Sequence, residues 1–462
     1  RLEVEVHSLG EPHEVLFDSP RGDFTKLRQN PDLTFTRTLK DGTETHFDQR
    51  GLHVKTVYLN DNTTLYGYDD EDRLKTITDP MDQITRFEYE NNGRLSLIID
   101  PAGRETRFEV DEAGDLRAVF DPEGAETRFG YQDHLLTFST DPQGYTTDYV
   151  YDPAYGRVLE VDYPTGEIRS FTHSDIQGLI NDLPPGVGTR QNPAPIVRPE
   201  EITDSFTDGE QKTWTFRTDP FGHIIEKTDP IGRVTLIERD LDSLPTRVEL
   251  PNTEVFQINW DERGNPRLII QRSIDAWTTL EYHPIHNKVE YITDAKTHTT
   301  SFKYDDQGNL TDFWDAEWNH YHLTYYDRGL LETVTNPLQK TTTFTHNGLG
   351  NLETATDPME HTTAFGYDDA GNLEWVTDAN DNTTIYRYDG MNRLIEVTDA
   401  EENFTQYSYD EGHPEKGSRG LLSSVVNAGS KVTTFKYDEV GQLWKVIQPL
   451  DQTKTFEYYL NR

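Results

Sequence analysis

The sequence predicts an all-β chain: an array of 21-residue β-hairpins laid side by side as one long, curled antiparallel sheet. Three observations predict it. A tyrosine-centred pattern recurs every 21 residues over most of the 462-residue chain. Between these marks, aromatic and β-branched residues alternate with period 2, and no 3.6-residue pattern is sustained. Hydrophobic residues make up 33% of the chain and aromatics 11%. The first figure falls short of the roughly 45–50% apolar share of a thick-cored domain. The second is too high for an acidic disordered chain.

The frame position falls at Tyr304, Tyr325, His346, Tyr367, Tyr388 and Tyr409. Four residues later stand Gly308, Gly329, Gly350 and Gly371, then Asn392. Six later come Leu310, Leu331, Leu352, Leu373 and Leu394, and eleven later Asp315, Asn336, Asp357, Asp378 and Asp399. The N-terminal half keeps the same interval through Phe47, Tyr68, Tyr89, Val110 and Tyr131. Tyr437 and Tyr458 resume it after a short insertion near "GHPEKGSR". The pattern is ragged near residues 1–45 and 235–300.

Each unit reads as one hairpin. In "NLEWVTD", Leu373, Trp375 and Thr377 share a face; in "TTIYRY", Thr384, Tyr386 and Tyr388 do. Two turns join the strands. In "DPxG" turns such as "DPAG" and "DPEG", Pro presets φ and Gly accepts positive φ. In "YDxxG" turns, Asp bonds its own backbone and Gly relieves the bend. One such hairpin is not stable alone, so stacking on neighbours must supply the stability. About 22 hairpins give roughly 44 strands of about seven residues, or on the order of 200 Å of sheet in a strip about 20–25 Å wide. A strip of that length twists and curls, which protects its edges. The tyrosine column is expected to stack from hairpin to hairpin as cross-strand aromatic pairs.

The frame fails between 174 and 212, where Pro184, Pro185, Pro193, Pro195 and Pro199 argue against a central strand. The expected organisation is therefore an N-terminal array over 1–173, a Pro-rich non-repeat insertion over 174–212, and a C-terminal array over 213–462, together one continuous β-structure. The plain account of the insertion is a tolerated surface loop. The sharper one is a segment that plugs an interior or contacts a partner, anchored by Ile176, Leu179, Ile180, Leu183, Ile196 and Val197.

Composition narrows the function. Acidic residues outnumber basic ones 83 to 43, for a formal charge of −40. Such a field repels nucleic acid and anionic membranes, because phosphate binding needs Lys and Arg to displace counterions. With no Cys, disulfides, thiol nucleophiles and Cys-ligated zinc are excluded. No apolar run approaches the roughly 18 residues of a membrane span. The chain opens on Arg1 rather than Met and shows no signal peptide, as a processed product or a piece of a longer protein would.

Catalytic motifs are absent, including His-Glu-x-x-His, Gly-x-Ser-x-Gly and a phosphate-binding Gly-rich loop. "WNHYHLTYY" puts His320 and His322 on one strand face, where cross-strand packing is the simpler reading than a two-His metal site. The oxygen-rich stretches Asp378–Asn382 and Asn60–Asn62 lack EF-hand spacing. Arg21-Gly22-Asp23 reads as a degenerate turn, and the Asn-x-Thr sequences at Asn62, Asn382 and Asn403 as turn and strand residues. No cofactor and no metal is expected.

The 21-residue unit "YDDAGNLEWVTDANDNTTIYR" and its copies resemble the RHS repeat, also called the YD repeat. Its pattern runs Tyr-Asp-x-x-Gly-x-Leu, then Thr-Asp-Pro-x-Gly, then a Thr- and aromatic-rich strand. The resemblance covers nearly the whole chain outside 174–212 and the ragged stretches. It implies that the strip spirals into a hollow shell. In bacterial polymorphic toxins and ABC-type toxin complexes such a shell encloses a toxic C-terminal segment. In wall-associated proteins and teneurins it stands at a cell surface. The repeat is not catalytic in any of these. This chain departs from the toxin shells in lacking the self-cutting C-terminal region near a "DPxGL"-like motif. A superficially similar stretch, "DPIGR" at 229–233, lies mid-chain and reads on as an ordinary repeat strand, "VTLIER".

The first expectation is therefore a non-enzymatic structural shell of a secreted RHS/YD-repeat protein, bacterial and extracellular or on the cell surface, enclosing or presenting a cargo polypeptide such as a toxin domain. The alternative is an extracellular coat, adhesion or filament-forming protein that binds copies of itself head to tail. Neither calls for nucleic acid or membrane insertion, and both leave contact with carbohydrate or a cell surface open.

Overall fold

The computed structural model describes residues 14–17, 19, 22–153, 156–173, 202–219, 222–409, 420–437 and 442–456. Among them are 40 strands, all in one antiparallel sheet, against the roughly 44 expected for the whole chain. Most strands hold five or six residues, as in Leu373–Thr377 and Thr383–Tyr388. The ladder is therefore somewhat narrower than the expected seven. No α-helix occurs among the described residues; the two helical elements are 3-10 turns, Asp327–Gly329 and Pro449–Asp451.

Strands pair with their sequence neighbours. Leu352–Thr356, for example, lies between Thr341–His346 and Thr362–Tyr367. This local pairing follows from the short turns, which bring each strand back beside the last. The ladder is one layer thick. Among the described residues the fully buried apolar side chains are Ala118 and Val161, beside buried Thr36, Thr43, Thr56, Asn265 and His286. Stability comes instead from cross-strand pairs on half-exposed faces. Thr335–Thr341, Thr356–Thr362 and Thr377–Thr383 close successive turns with hydroxyl–hydroxyl bonds of 2.8 Å each.

The tyrosine column is built differently from the expected stack. Each frame residue faces a leucine across the ladder: Tyr304 opposite Leu310, Tyr325 opposite Leu331, Tyr367 opposite Leu373 and Tyr388 opposite Leu394. Frame tyrosines recur on every second strand, so about 10 Å separates them along the ladder. Ring pairs need centroids within about 7 Å. The aromatic pairs arise instead two residues before the frame. Phe302, Phe313 and Tyr321 form a ladder of rings at 5.4 and 5.6 Å.

A β-bulge at the frame position explains the odd number 21. Tyr304 pairs with Leu310 and Lys303 with Asp312, so Thr311 is left over on the second strand. The same shift recurs at Thr324/Tyr325, Thr345/His346, Gly366/Tyr367 and Arg387/Tyr388. One extra residue per hairpin makes the two half-repeats unequal.

The chain divides into two compact units. One comprises the described parts of Arg1–Arg128, Asp141–Gly144 and Thr278–Glu457; the other, those of Phe129–Thr140 and Tyr145–Trp277. In the second unit the expected insertion ends earlier than 212. Ile202–Thr207 is a strand that pairs with Ile168–Thr172 on one side and Thr213–Thr218 on the other. Its Phe206 ring lies between Phe171 and Trp214, at 5.4 and 5.5 Å. The last proline of the segment is Pro199, and past it "ITDSFTDGEQKTWTF" has the alternation of an ordinary hairpin. Residues 174–201, with the anchors Ile176, Leu179, Ile180, Leu183, Ile196 and Val197, lie outside the described residues.

Candidate functional site

Three features recur along the array: the turn, the strand latch and the contact between rows. The two turn sequences fold alike. In "DDQGN", Asp305 Oδ1 accepts the N–H groups of Gln307 and Asn309 at 3.0 and 2.7 Å. In the opposite turn Asp315 Oδ1 accepts those of Glu317 and Asn319 at 3.0 and 2.9 Å. Asp357, Asp378 and Asp399 repeat the arrangement. The fourth residue has positive φ in both turns: 79° at Gly308 and 64° at Trp318. Gly329, Gly350 and Gly371 also have positive φ. The second carboxylate oxygen takes the side chain four residues on, such as Asn382 on Asp378 at 3.0 Å.

At Asp315, Asp357 and Asp378 these bonds favour the charged form of the carboxylate. Asn382's side chain, then turn N–H groups, push Asp378 below its ordinary value. The backbone N–H of His361 is the main cause at Asp357, and the side chain of Asn319 at Asp315. Both carboxylate oxygens of Asp378 are thus engaged in turn bonds. "DPIGR" is one more such turn, with Asp229 Oδ1 accepting Ile231 and Arg233 N–H at 3.1 and 2.8 Å. Of "RGD", Gly22 has a φ of 79° and Asp23 accepts the N–H of Thr25 at 3.0 Å; Arg21 lies outside the described residues.

The frame residue acts as a latch. The Tyr325 hydroxyl donates to the Leu310 carbonyl at 2.9 Å, fifteen residues back along the chain. Tyr68, Tyr89, Tyr304, Tyr409 and Tyr437 make the same bond to His53, Leu74, Val289, Leu394 and Leu422. The stretch that looked ragged carries the same bulge at Arg239, Trp260 and Tyr282, and its steps to Tyr304 stretch from 21 to 22 residues. Trp260 Nε1 donates to the Pro245 carbonyl at 2.9 Å and Arg239 Nε to that of Ile224 at 3.2 Å. The signal to search for is thus a long side chain with a terminal donor, not tyrosine itself. Burial raises the phenols of Tyr304 and Tyr325, with nearby Glu290 and Asp305 adding to it.

Within the first unit, turns from the N-terminal rows meet turns from the C-terminal rows. Asn60 and Asn62 both donate their side-chain amides to the Arg328 carbonyl, at 2.9 and 3.0 Å. Arg328 in turn reaches Met81 Sδ at 3.3 Å. Farther along, Arg393 pairs with Glu123 at 2.8 Å. The sequence separations are 268 for Asn60–Arg328 and 270 for Glu123–Arg393. The two rows therefore run in step, turn against turn. This seam was not legible in the sequence, because the turns carry the same residues whether or not another row faces them. An open cleft of about 770 Å³ lies along it, bordered by Asn60, Asn62, Pro80, Asp305, His322 and Arg328.

Comparison with known proteins agrees with this geometry. The family described as Teneurin YD-shell matches residues 45–184, and that described as RHS Repeat matches 325–358 and 367–403. The chain is 24% identical over 197 residues to the "Probable deoxyribonuclease RhsB" of Dickeya dadantii (strain 3937), an alignment covering 42% of this chain and 12% of that protein. Among solved structures it is similar to the "Crystal Structure of TcdB2-TccC3 without hypervariable C-terminal region", at 13% identity and a TM-score of 0.57. That match covers 94% of this chain and 28% of the other. The chain thus spans only a small part of the proteins it resembles, and the structural likeness concerns the fold.

Proposed function

The chain is an RHS/YD-repeat protein, and from that premise we propose that it is a length of shell wall that encloses a cargo polypeptide. The observation that carries the reading is the seam. Rows of turns that meet in step over Asn60–Arg328 and Glu123–Arg393 make a continuous wall out of a one-layer strip. Such a wall acts sterically, keeping solvent proteases and partners from what lies behind it. The likeness of its fold to a toxin-complex structure, and the toxin-associated RHS repeat, support an enclosed toxic segment as the cargo. Secretion from a bacterial cell fits the same reading. The wall itself supplies no chemistry to the cargo; the nuclease named for the Dickeya relative belongs to that protein.

Negative-stain images test the reading, together with digestion of a protease-sensitive reporter segment joined to the chain. The expected result is hollow particles with a wall one sheet thick and a reporter that outlasts the same segment free in solution. Long fibres would favour the coat or filament alternative. Equal digestion rates for joined and free reporter would overturn enclosure.

A further inference from the structure

The strands Leu310–Trp314 and His320–Tyr325 pair so that Asp312 faces His322 and Trp314 faces His320. The pleat puts all four side chains on one face. Asp312 Oδ1 lies 2.8 Å from His320 Nε2 and 3.1 Å from His322 Nδ1. The three candidate ligand atoms fall within 4.8 Å of one another. We propose that Asp312, His320 and His322 form a three-ligand site for a divalent transition-metal ion of the zinc class, with its remaining position open to water or an incoming side chain.

The spacing fits such an ion. Ligand atoms about 2.0–2.1 Å from zinc stand roughly 2.9–3.4 Å apart, for angles between octahedral and tetrahedral. Of the two carboxylate–imidazole distances, 3.1 Å falls within that range and 2.8 Å just below it, so small shifts of the imidazoles would admit an ion. Two imidazoles and one carboxylate suit zinc, nickel or copper rather than magnesium or calcium. Three protein ligands leave a coordination position free, as in open zinc sites.

Neighbouring groups already hold the ligands in place. The Trp314 indole stacks on the His320 ring at 4.5 Å and 7°. Thr311 Oγ1 donates to the second oxygen of Asp312 at 3.0 Å. Outer partners of this kind orient metal ligands and tune their basicity. The side chains of Asp312, His320 and His322 are 20%, 37% and 48% exposed, so the site is preformed yet open to an ion. His322 also borders the seam cleft.

Other histidines in the array differ. His223, His298 and His361 each pair with one aspartate of their own turn, Asp219, Asp294 and Asp357. Those pairs are turn chemistry, with the imidazole in the place that Asn382 or Arg104 takes elsewhere. Among the described residues, only at 312, 320 and 322 do three such ligand atoms converge.

Calorimetric titration of zinc chloride into the full chain, with magnesium chloride as control, tests the proposal. One equivalent of zinc is expected to bind in 150 mM salt, with no matching magnesium signal. His320→Ala and His322→Ala are expected to weaken zinc binding by at least about tenfold, and His361→Ala to leave it unchanged. His322→Gln keeps a polar side chain of similar reach and guards against loss of fold, checked by circular dichroism. Cobalt added to the wild-type chain should give visible d–d bands that are lost in His322→Gln. Failure of the wild-type chain to take up zinc, or equal affinity in wild type and both histidine variants, would overturn the site.

Discussion

The docked seam can be tested by adding one methyl group at two equivalent turns. Gly350 and Gly371 have φ of 79° and 81°, in turns of the same design. An alanine at either position takes a left-handed conformation that costs about 1–2 kcal/mol. At Gly371 the new Cβ meets nothing within 4 Å. At Gly350 it would stand 2.8 Å from Met81 Cε and 3.5 Å from Met81 Sδ, atoms that belong to the facing row. Overpacking costs about 1–3 kcal/mol, and methionine is flexible enough to put this contact at the low end. Gly350→Ala should therefore cost about 1 kcal/mol more than Gly371→Ala. In a Met81→Ala background the excess should vanish, leaving a coupling of about 1 kcal/mol between positions 81 and 350. Urea unfolding followed by tryptophan fluorescence measures the wild type, the three single variants and the Met81→Ala/Gly350→Ala double variant. Equal costs at both glycines with zero coupling would refute the docking of the two rows.

Three further outcomes follow from the turn and the latch. Tyr325→Phe removes only the hydroxyl bond to Leu310 and should cost about 1 kcal/mol in urea unfolding; a neutral result would deny the latch its role. Because burial raises this phenol above its ordinary 10.0, its contribution is whole below pH 10 and is lost as pH climbs through the raised value. For the turn aspartates the sign is reversed. Asp111, Asp294 and Asp357 are held below 3.8, chiefly by the backbone N–H four residues on. Their contribution is intact above 3.8 and is lost as pH falls through the lowered values. Replacing Asp111, Asp294 and Asp357 together by Asn keeps an acceptor, as Asn336 and Asn347 do naturally. The loss of stability below about pH 4 should then become shallower; an unchanged acid limb by circular dichroism would count against the account. Finally, Glu402 has a φ of 65° in the glycine position of its turn. Glu402→Gly should raise stability by up to about 1 kcal/mol, and a fall would show that the side chain holds the turn in some other way.

Much of the molecule could be read from its residues. The period of 21, the hairpin, the single-layer ladder and the absence of α-helix among the described residues all follow from local rules. Alternation sets the strand faces, and Asp with Gly or Asn sets the turn. Asp305 and Asp315 show that one turn chemistry serves both ends of the hairpin, which two different consensus strings had concealed. Trp260 and Arg239 show a limit of reading by residue name. They fill the tyrosine position with another donor of sufficient reach, so the frame continues where its usual mark is missing.

The repeat is written into the residues of each copy, because every bond that makes it spans no more than about one repeat length. Turn, bulge, latch and cross-strand pair all close within one hairpin and its neighbour, and each copy carries its own instructions. Which row faces which is set by long-range docking. Asn60 meets Arg328 and Met81 meets Gly350 across more than 260 residues, through turns whose sequences are the same with or without a partner. The strand pleat puts His320 and His322 on one face, and the Asp315–Asn319 turn sets the register that brings Asp312 opposite them, so this cluster is as local as the hairpin that carries it.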